Sequence, residues 1–309
     1  MTELLTAIAR VARDQMSSYR FCRTDDIGLL VDALNRCWAP HFPGEPPMTP
    51  EAFKRSIRDL QVWCSSCMVA FSGPDPIAVL IGAKRSSGTL VHKIAVHPDH
   101  RRQGHGRHLL DSLGSKLAIL GPPRISAEVP ETFSPVRELL GASGFVQEAF
   151  LTDYVFNCGE DDAARPAAEG QDGLFVIPVT IDDLVANGLL GEGQPQVCWG
   201  RSLETLTARK DDIAGFAVAS DERIEAYLLY VGRAAAASER VADIVSLRVF
   251  IEDGGARVRQ LVARMRAQGF STCRIPKVHP EEGVAELLTT AGFRPAGAHV
   301  LYAVRARSA

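Results

Sequence analysis

The chain lacks the features that mark nucleic-acid binding, membrane insertion or a secreted disulfide framework. Its 309 residues carry a net charge of −3 and have a pI near 6.3, which gives no general attraction to a polyanion or an anionic membrane. No apolar run in the sequence reaches membrane-spanning length. The seven cysteines are an odd number, and we expect no secretory leader, so the sequence predicts a cytoplasmic protein with reduced thiols.

Metal-binding and targeting signals are equally sparse. Cys64 and Cys67 have a metal or redox spacing, but no second Cys/His pair lies close by, so we predict structural cysteines and no metal. Residues 1–16 have apolar residues at helical spacing with charged residues between them. This segment is too polar for a signal peptide or membrane anchor. We therefore predict an N-terminal packing or dimer-contact helix over residues 1–18.

One basic, glycine-bearing stretch stands out at residues 96–107, between a strand pattern at 89–96 and a helical pattern at 106–120. A helix N-terminus presents unpaired N–H groups and partial positive charge, which suits a phosphate or pyrophosphate. Gly104 and Gly106 would let the main chain approach such an anion without a Cβ. The third glycine of the dinucleotide fingerprint and the Gly-Lys-Ser/Thr ending of the nucleotide-triphosphate loop are both missing.

The spacing of this stretch resembles a known loop. Arg101-x-x-Gly104-x-Gly106, preceded by Val96-His97-Pro98, resembles the acyl-CoA pyrophosphate loop of the Gcn5-related N-acetyltransferases (GNAT). In that family the loop reads Arg/Gln-x-x-Gly-x-Gly/Ala after Val-x-Pro. The resemblance extends over most of residues 19–157, where the pattern order β-α-α-β-β-β-α-β-α-β is that of the family. We therefore predict an α+β fold with a mixed sheet, and acetyl-CoA as acyl donor.

The resemblance also implies site residues. In the family, the central strand splays from its neighbour and pairs with the pantetheine arm, which here indicates Ile94 and Val96, with Ala95 between them. The implied CoA-binding set is completed by Arg101, Arg102, Gln103, Gly104, His105, Gly106, Arg107 and Ser134. Trp38, His41 and Phe42, in the loop between the first two helices, are candidate acceptor contacts; surface packing of aromatic residues explains them equally well.

Catalytic candidates depend on the same resemblance. The family's general base is often a glutamate on the central strand; that position here is His92, whose ordinary pKa of about 6.5 suits a base near neutral pH. Glu128, on the next strand, is a second candidate. A solvated or hydrogen-bonded strand residue is the alternative interpretation of both. The family's usual tyrosine acid is replaced by Leu140, and Tyr154 is either its substitute or a core residue.

The second half repeats the first. Val136-Arg-Glu-Leu-Leu-x-x-x-Gly-Phe145 is echoed by Val284-Ala-Glu-Leu-Leu-x-x-x-Gly-Phe293, and Tyr154 by Tyr302, at one constant offset. We predict tandem GNAT folds: a domain at 19–157, a linker at 158–173 and a degenerate copy at 174–309. Where the first copy has its arginine loop, the second has a shorter one with Glu252 and Asp253. The second copy is therefore predicted to bind no CoA.

These observations favour a direct acetyltransferase acting through the N-terminal copy on an amine of a small molecule or peptide. The predicted protein is a monomer or homodimer, with no nucleic-acid or membrane partner. A non-catalytic acyl-CoA-binding sensor or scaffold is the alternative, because the family's tyrosine and glutamate are missing. A third hypothesis is a partner-binding module whose arginine loop holds another phosphate.

Overall fold

The computed structural model describes residues 17–158, 174–191, 193, 195–236, 239–252 and 254–306. Two compact units form: Met1–Glu148 together with Leu301–Ala309, called unit 1, and Ala149–Val300, called unit 2. Within the described ranges, no helix is long and apolar enough to cross a membrane.

The elements of unit 1 follow the predicted order, and their bounds are β1 (Ser17–Phe21), α1 (Ile27–Cys37), α2 (Pro50–Leu60), β2 (Met68–Ser72), β3 (Asp75–Lys84), β4 (Thr89–Val96), α3 (His105–Leu120), β5 (Arg124–Pro130), α4 (Ser134–Ala142) and the start of β6 (Val146–Asn157). Strands β1 to β4 form an antiparallel ladder, and β4 pairs with β5 in parallel. The predicted α+β architecture with a mixed sheet is confirmed.

Local sequence explains where these helices begin and end. The Thr49 side chain accepts a hydrogen bond from Ala52 N–H at 3.1 Å and caps α2, and Gln61 ends it in the left-handed region. Helix α3 begins after Gly104 and buries a stripe spaced by three and four residues: Leu109, Leu110, Leu113 and Leu117. The same spacing predicts that Leu120 is buried too, but it is exposed at the last position of the helix.

Two sequence predictions in unit 1 need correction. The apolar run at residues 63–71 predicts one strand, but Cys64–Ser66 form a 3₁₀ turn closed by a Cys67 N–H bond to the Cys64 carbonyl, and β2 begins only at Met68. Ser17 and Ser18, assigned to the N-terminal helix, pair instead with β2 as part of β1. The rest of that predicted helix lies outside the described residues.

Unit 2 repeats the same element order, with bounds β7 (Phe175–Pro178), α5 (Ile181–Ala186), α6 (Leu203–Ala208), β8 (Ala214–Ala219), β9 (Ile224–Ala236), β10 (Glu239–Val249), α7 (Gly254–Ala267), β11 (Thr272–Val278), α8 (Ala285–Thr290) and β12 (Arg294–Arg305). Strand β10 is antiparallel to β9 and parallel to β11. By this order β10 corresponds to β4 and β11 to β5, as the internal repeat predicts.

The boundaries between the two compact units fall within the last strand of each sequence repeat. From Ala149 onward β6 belongs to unit 2, where it pairs with β11 and places Tyr154 in the unit 2 core. The last residues of β12, from Leu301, belong to unit 1, where β12 lies beside β5 and Ala306 N–H donates to the Pro123 carbonyl at 2.6 Å. The predicted boundaries, 19–157 and 174–309, follow the sequence patterns instead. Of the predicted linker at 158–173, all but Cys158 lies outside the described residues.

Candidate functional site

The basic stretch connects β4 to α3 by a tightly turned loop. After the 3₁₀ turn Pro98–His100, Arg102 has a φ of 62° and Gly104 a φ of 88°. Arg102 is thus a non-glycine residue in the left-handed region, a conformation that costs free energy and occurs often at functional sites. Residues 101–104 are exposed, so the first N–H groups of α3 follow directly after an exposed cationic loop.

The two glycines of the loop have different structural reasons. Gly104 has open space around it but needs its positive φ. At Gly106, a Cβ would lie 2.9 Å from Leu139 Cδ2 of α4, so a larger residue here would require the Leu139 side chain to shift. The sequence interpretation, that both glycines clear space for an anion, therefore fits Gly104 better than Gly106.

His105 and Arg101, two of the predicted CoA-binding residues, direct their side chains to protein partners. The His105 ring is buried, and its Nδ1 shares a hydrogen bond with the Tyr19 hydroxyl at 2.6 Å. Burial lowers the pKa of His105, and His100 and His108 lower it further. Arg101 donates to His41 Nδ1. For CoA, His105 can therefore offer its backbone N–H at the helix start, but not its ring.

The remaining loop residues in the predicted CoA-binding set stay at the surface. Arg102, Gln103 and Arg107 are exposed, and so is Ser134 at the first position of α4. The Gln103 amide donates to the Asp99 carbonyl at 3.5 Å. Arg102 and Arg107 thus supply the exposed guanidinium groups of the loop, which suit a pyrophosphate through charge and paired N–H donors.

Strands β4 and β5 separate beside this loop. Among the described residues they pair only at Thr89↔Ile125 and Leu90↔Ser126, while β4 continues along β3 as far as Val96. We call the opening beyond Leu90 the unit 1 splay. An extended ligand can pair with a strand edge exposed in this way.

Backbone direction selects which β4 residues face the splay. His97 N–H donates to Ile77 of β3 at 2.8 Å, so by alternation Ala95 faces β3 while Ile94 and Val96 face the splay. The Val96 carbonyl there accepts a bond from His41 Nε2 at 3.0 Å. Ile94 and Val96 thus have the orientation that backbone pairing with an arm of CoA requires. Ala95, also predicted to bind CoA, does not.

A β-bulge lies at the start of the splay. The β3–β4 register runs from Ile81↔Lys93 to Gly82↔Val91 and leaves His92 as the extra residue. Bulges redirect side chains and occur often beside active sites. Counting two residues on from Leu90↔Ser126 puts Glu128 on β5 level with His92 on β4. The two base candidates therefore flank the opening of the splay.

An aromatic cluster forms one wall of this region. Trp38 and Phe42 stack with ring centroids 4.4 Å apart, and Phe42 contacts Phe133 at 5.3 Å. Phe133 directly precedes α4. The structure thus brings the predicted acceptor contacts Trp38 and Phe42 against the β5–α4 connection. His41, the third predicted acceptor contact, is hydrogen-bonded to the Val96 carbonyl.

Two charged residues at this wall were missed by sequence reasoning. Lys93 Nζ lies 3.8 Å from the centroid of a Trp38 ring, and Glu45 accepts a hydrogen bond from Trp38 Nε1 at 3.0 Å. Lys93 follows the bulge on β4, so only the strand register could have indicated its direction. Phe133, similarly, has no motif around it.

The last strand of each sequence repeat contributes its tyrosine to the other unit, an arrangement that we call strand exchange. Leu140 is fully buried, and Tyr154 lies in the unit 2 core, so Tyr154 does not substitute in unit 1 for the tyrosine missing at position 140. Tyr302 instead belongs to unit 1, where its hydroxyl oxygen accepts a bond from Arg137 Nε at 3.2 Å. Arg137 lies one helical turn before Leu140 on α4. The sequence repeat identified Tyr302 but assigned it to the other copy.

Comparison with known proteins agrees with this geometry. Residues 30–145 match the family model of the acetyltransferase (GNAT) family. This part of the chain is therefore similar to the GNAT family. The match includes β4, the basic loop and α4. A comparison with curated protein sequences found no match.

Solved structures show the tandem GNAT fold over nearly the whole chain. A tandem GNAT protein from the clavulanic acid biosynthesis pathway is 14% identical with a TM-score of 0.65, covering 95% of this chain and 100% of its own. A Gcn5-related N-acetyltransferase from Sphaerobacter thermophilus is 14% identical with a TM-score of 0.63, and the match covers 94% of this chain and 96% of the Sphaerobacter chain. A fungal multi-domain GH3 β-N-acetylglucosaminidase with a glucosamine N-acetyltransferase region is 12% identical with a TM-score of 0.70, and the match covers 94% of this chain and 38% of the fungal chain. The prediction of two tandem GNAT folds is confirmed.

The described part of the chain contains no group of three or more His, Cys, Asp or Glu side chains placed to hold a metal ion. Cys64 and Cys67 are both buried free thiols. Burial raises the pKa of each thiol, which disfavours the thiolate form that binds metals.

Proposed function

We propose that unit 1 transfers an acetyl group from acetyl-CoA directly to an amine of a small molecule or a peptide. The observation that carries this proposal is the unit 1 splay, whose open β4 edge ends at the cationic loop before α3. Ile94 and Val96 would pair with the pantetheine arm, and Arg102 and Arg107 would contact the pyrophosphate. The thioester would then lie near the bulge at His92.

In this proposal, His92 or Glu128 and Tyr302 divide the two proton transfers. The acceptor amine must lose a proton, and His92 or Glu128 takes it, because both flank the opening. The departing CoA thiolate must gain a proton, and Tyr302 supplies it in place of the tyrosine missing at position 140. Arg137 donates to the Tyr302 oxygen, which leaves the hydroxyl proton available and stabilises the oxygen after the proton leaves.

We further propose that unit 2 does not bind CoA, because an ion pair fills the corresponding opening. Strands β10 and β11 pair last at Asp243↔Arg274, and a bulge follows at Val245. There the guanidinium of Arg201 donates to the Val245 and Pro276 carbonyls at 3.2 and 3.4 Å. It also forms two bonds to Glu282, at 2.9 and 2.6 Å.

Calorimetric titration of the full chain with acetyl-CoA tests both proposals. We expect one binding site per chain. Binding should be lost in the double variant Arg102→Glu/Gly104→Asp, because the change places two carboxylates in the loop and puts a side chain at position 104, where φ is positive. The matched control is Arg223→Glu/Gly188→Asp, which changes an exposed arginine and a left-handed glycine (φ 69°) in unit 2 and should retain binding.

Release of CoA in the presence of an amine panel then separates the enzyme from the alternative of an acyl-CoA sensor. Binding at one site without turnover of any amine would favour the sensor. Retained affinity in the Arg102/Gly104 variant would contradict the assignment of the loop. A stoichiometry of two would contradict the proposal for unit 2.

A further inference from the structure

The ammonium group of Lys93 is held at the aromatic wall beside the unit 1 splay. Lys93 follows the bulged His92 on β4, and its side chain is only 18% exposed. Its Nζ lies 3.8 Å from the centroid of a Trp38 ring, a cation–π contact that stabilises the charge but accepts no hydrogen bond. Lys93 thus presents a charge at the candidate acceptor wall.

The protein compensates this charge incompletely. The paired carboxylate oxygen, Glu45 Oε2, lies 4.0 Å from Lys93 Nζ, beyond the usual range of a hydrogen bond. That oxygen already accepts the Trp38 Nε1 bond at 3.0 Å. Burial lowers the pKa of Lys93 despite the opposing effect of Glu45. Within the described residues, Nζ therefore has three donors and no acceptor within hydrogen-bonding distance.

We propose that the acceptor is an amino carboxylate, whose carboxylate binds Lys93 while its amine faces the splay. This inference rests on the acetyltransfer proposed for unit 1. A carboxylate would satisfy the Lys93 donors with a charge-assisted hydrogen bond. The stacked rings of Trp38, Phe42 and Phe133 would pack against an apolar part of the same molecule.

The neighbouring charges favour a carboxylate over a phosphate. Glu45 lies beside Lys93 and repels any incoming anion, more strongly if that anion carries two charges. The exposed guanidinium groups that suit a phosphate, Arg102 and Arg107, lie in the loop before α3 instead. One ammonium at an aromatic wall matches one carboxylate.

Matched acceptor pairs test this proposal. L-phenylalanine and L-leucine are each compared with their α-amides at saturating acetyl-CoA, by following CoA release. We expect kcat/KM to favour the acids by about tenfold to hundredfold, the worth of one hydrogen bond to a charged group. An amino-acid amide has a less basic amine and more of its neutral form, so this comparison is biased against the proposal.

Variants assign the preference to the residues at the wall. Lys93→Met should lower the acid-to-amide ratio of kcat/KM to about one. Glu45→Gln should raise the ratio several-fold, because it removes the repelling charge. Lys210→Met, which removes an exposed lysine in unit 2, is the charge-matched control and should keep the wild-type ratio. Calorimetric binding of acetyl-CoA shows that each variant is folded.

The outcomes separate this inference from the proposed function. Equal kcat/KM for acids and amides, or a lower ratio in Glu45→Gln, would overturn the carboxylate site; the latter would indicate a cationic acceptor at Glu45. Absence of acetyl-CoA binding would overturn the proposed function itself. If acetyl-CoA binds but neither set is acetylated, the acids are titrated onto the CoA-bound protein, and absence of binding heat overturns the inference.

Discussion

Replacing Arg201 by methionine should destabilise unit 2 strongly. The side chains of Arg201 and Glu282 are 2% and 5% exposed, and four hydrogen bonds hold the guanidinium at the opening between β10 and β11. In Arg201→Met, Glu282 keeps a bond from His279 N–H at 2.7 Å but loses its only paired cation among the described residues. Breaking a buried pair on one side costs about 3–5 kcal/mol, because a buried charge is left uncompensated.

The measurement is scanning calorimetry of the full chain. For a folded unit of about 150 residues, 1 kcal/mol shifts Tm by about 2–4 °C, so we expect a fall of about 6–20 °C. Glu282→Gln should also lower Tm, because it leaves Arg201 without its counter-charge. In Arg201→Met/Glu282→Gln both charges are gone, and the loss should be smaller than the sum of the two single losses by up to about 3 kcal/mol.

Two results would refute this reasoning. A fall below about 2 °C in Arg201→Met would show that the guanidinium is not buried against Glu282 as the geometry requires. A double variant as unstable as the sum of the singles would show that the two charges are not coupled. The exposed pair Lys210–Asp182 is the control: Lys210→Met should leave Tm unchanged, because solvent screens that contact.

Three further predictions concern unit 1. Of His92→Ala and Glu128→Gln, the one that removes the general base should lower kcat by about 10²- to 10⁴-fold without changing the acetyl-CoA Kd; normal kcat in both would contradict the proposed mechanism. Tyr302→Phe should lower kcat without changing the acetyl-CoA Kd, whereas a purely packing role would change Tm alone. Burial lowers the pKa of His41 and His105, so their neutral forms are favoured in the folded state; the stability they contribute is present above pH ~6.5 and is lost as pH falls below it. The Tm of the chain should therefore fall between pH 7 and 5, less so in His105→Gln; an equal fall in both proteins would exclude His105 as a source.

The fold was largely predictable because its signals are local and repeated. Alternating and helical patterns gave the element order of both copies, and the spacing Arg101-x-x-Gly104-x-Gly106 located the loop. The break at Cys64–Ser66 was missed because an apolar run of this length does not distinguish a strand from a short turn followed by a strand. Sequence patterns alone thus established the family resemblance and the tandem repeat.

Strand exchange was not predictable from these patterns. Tyr154 and Tyr302 occupy equivalent positions in the last strands of the two copies. Local sequence therefore does not indicate that Tyr302 belongs to unit 1 and Tyr154 to unit 2. Pairing partners depend on long-range contacts, whereas periodicity reports only which face of a strand is apolar. The Lys93 contact with Trp38 was missed for the same reason, since it depends on the register at the bulge.

The two units show how one backbone geometry can serve two purposes. In each, the parallel strand pairing ends two residues before the bulged residue: at Leu90 before His92 in unit 1, and at Asp243 before Val245 in unit 2. At the bulge, unit 1 carries an imidazole beside an open strand edge. Unit 2 carries an apolar side chain, and its carbonyl is bonded by the buried Arg201. The shared backbone separates the strands in both copies. In unit 2 the guanidinium of Arg201 lies at this position, whereas in unit 1 the β4 edge beyond Leu90 is not paired with β5, and this is where we propose that the acyl donor binds.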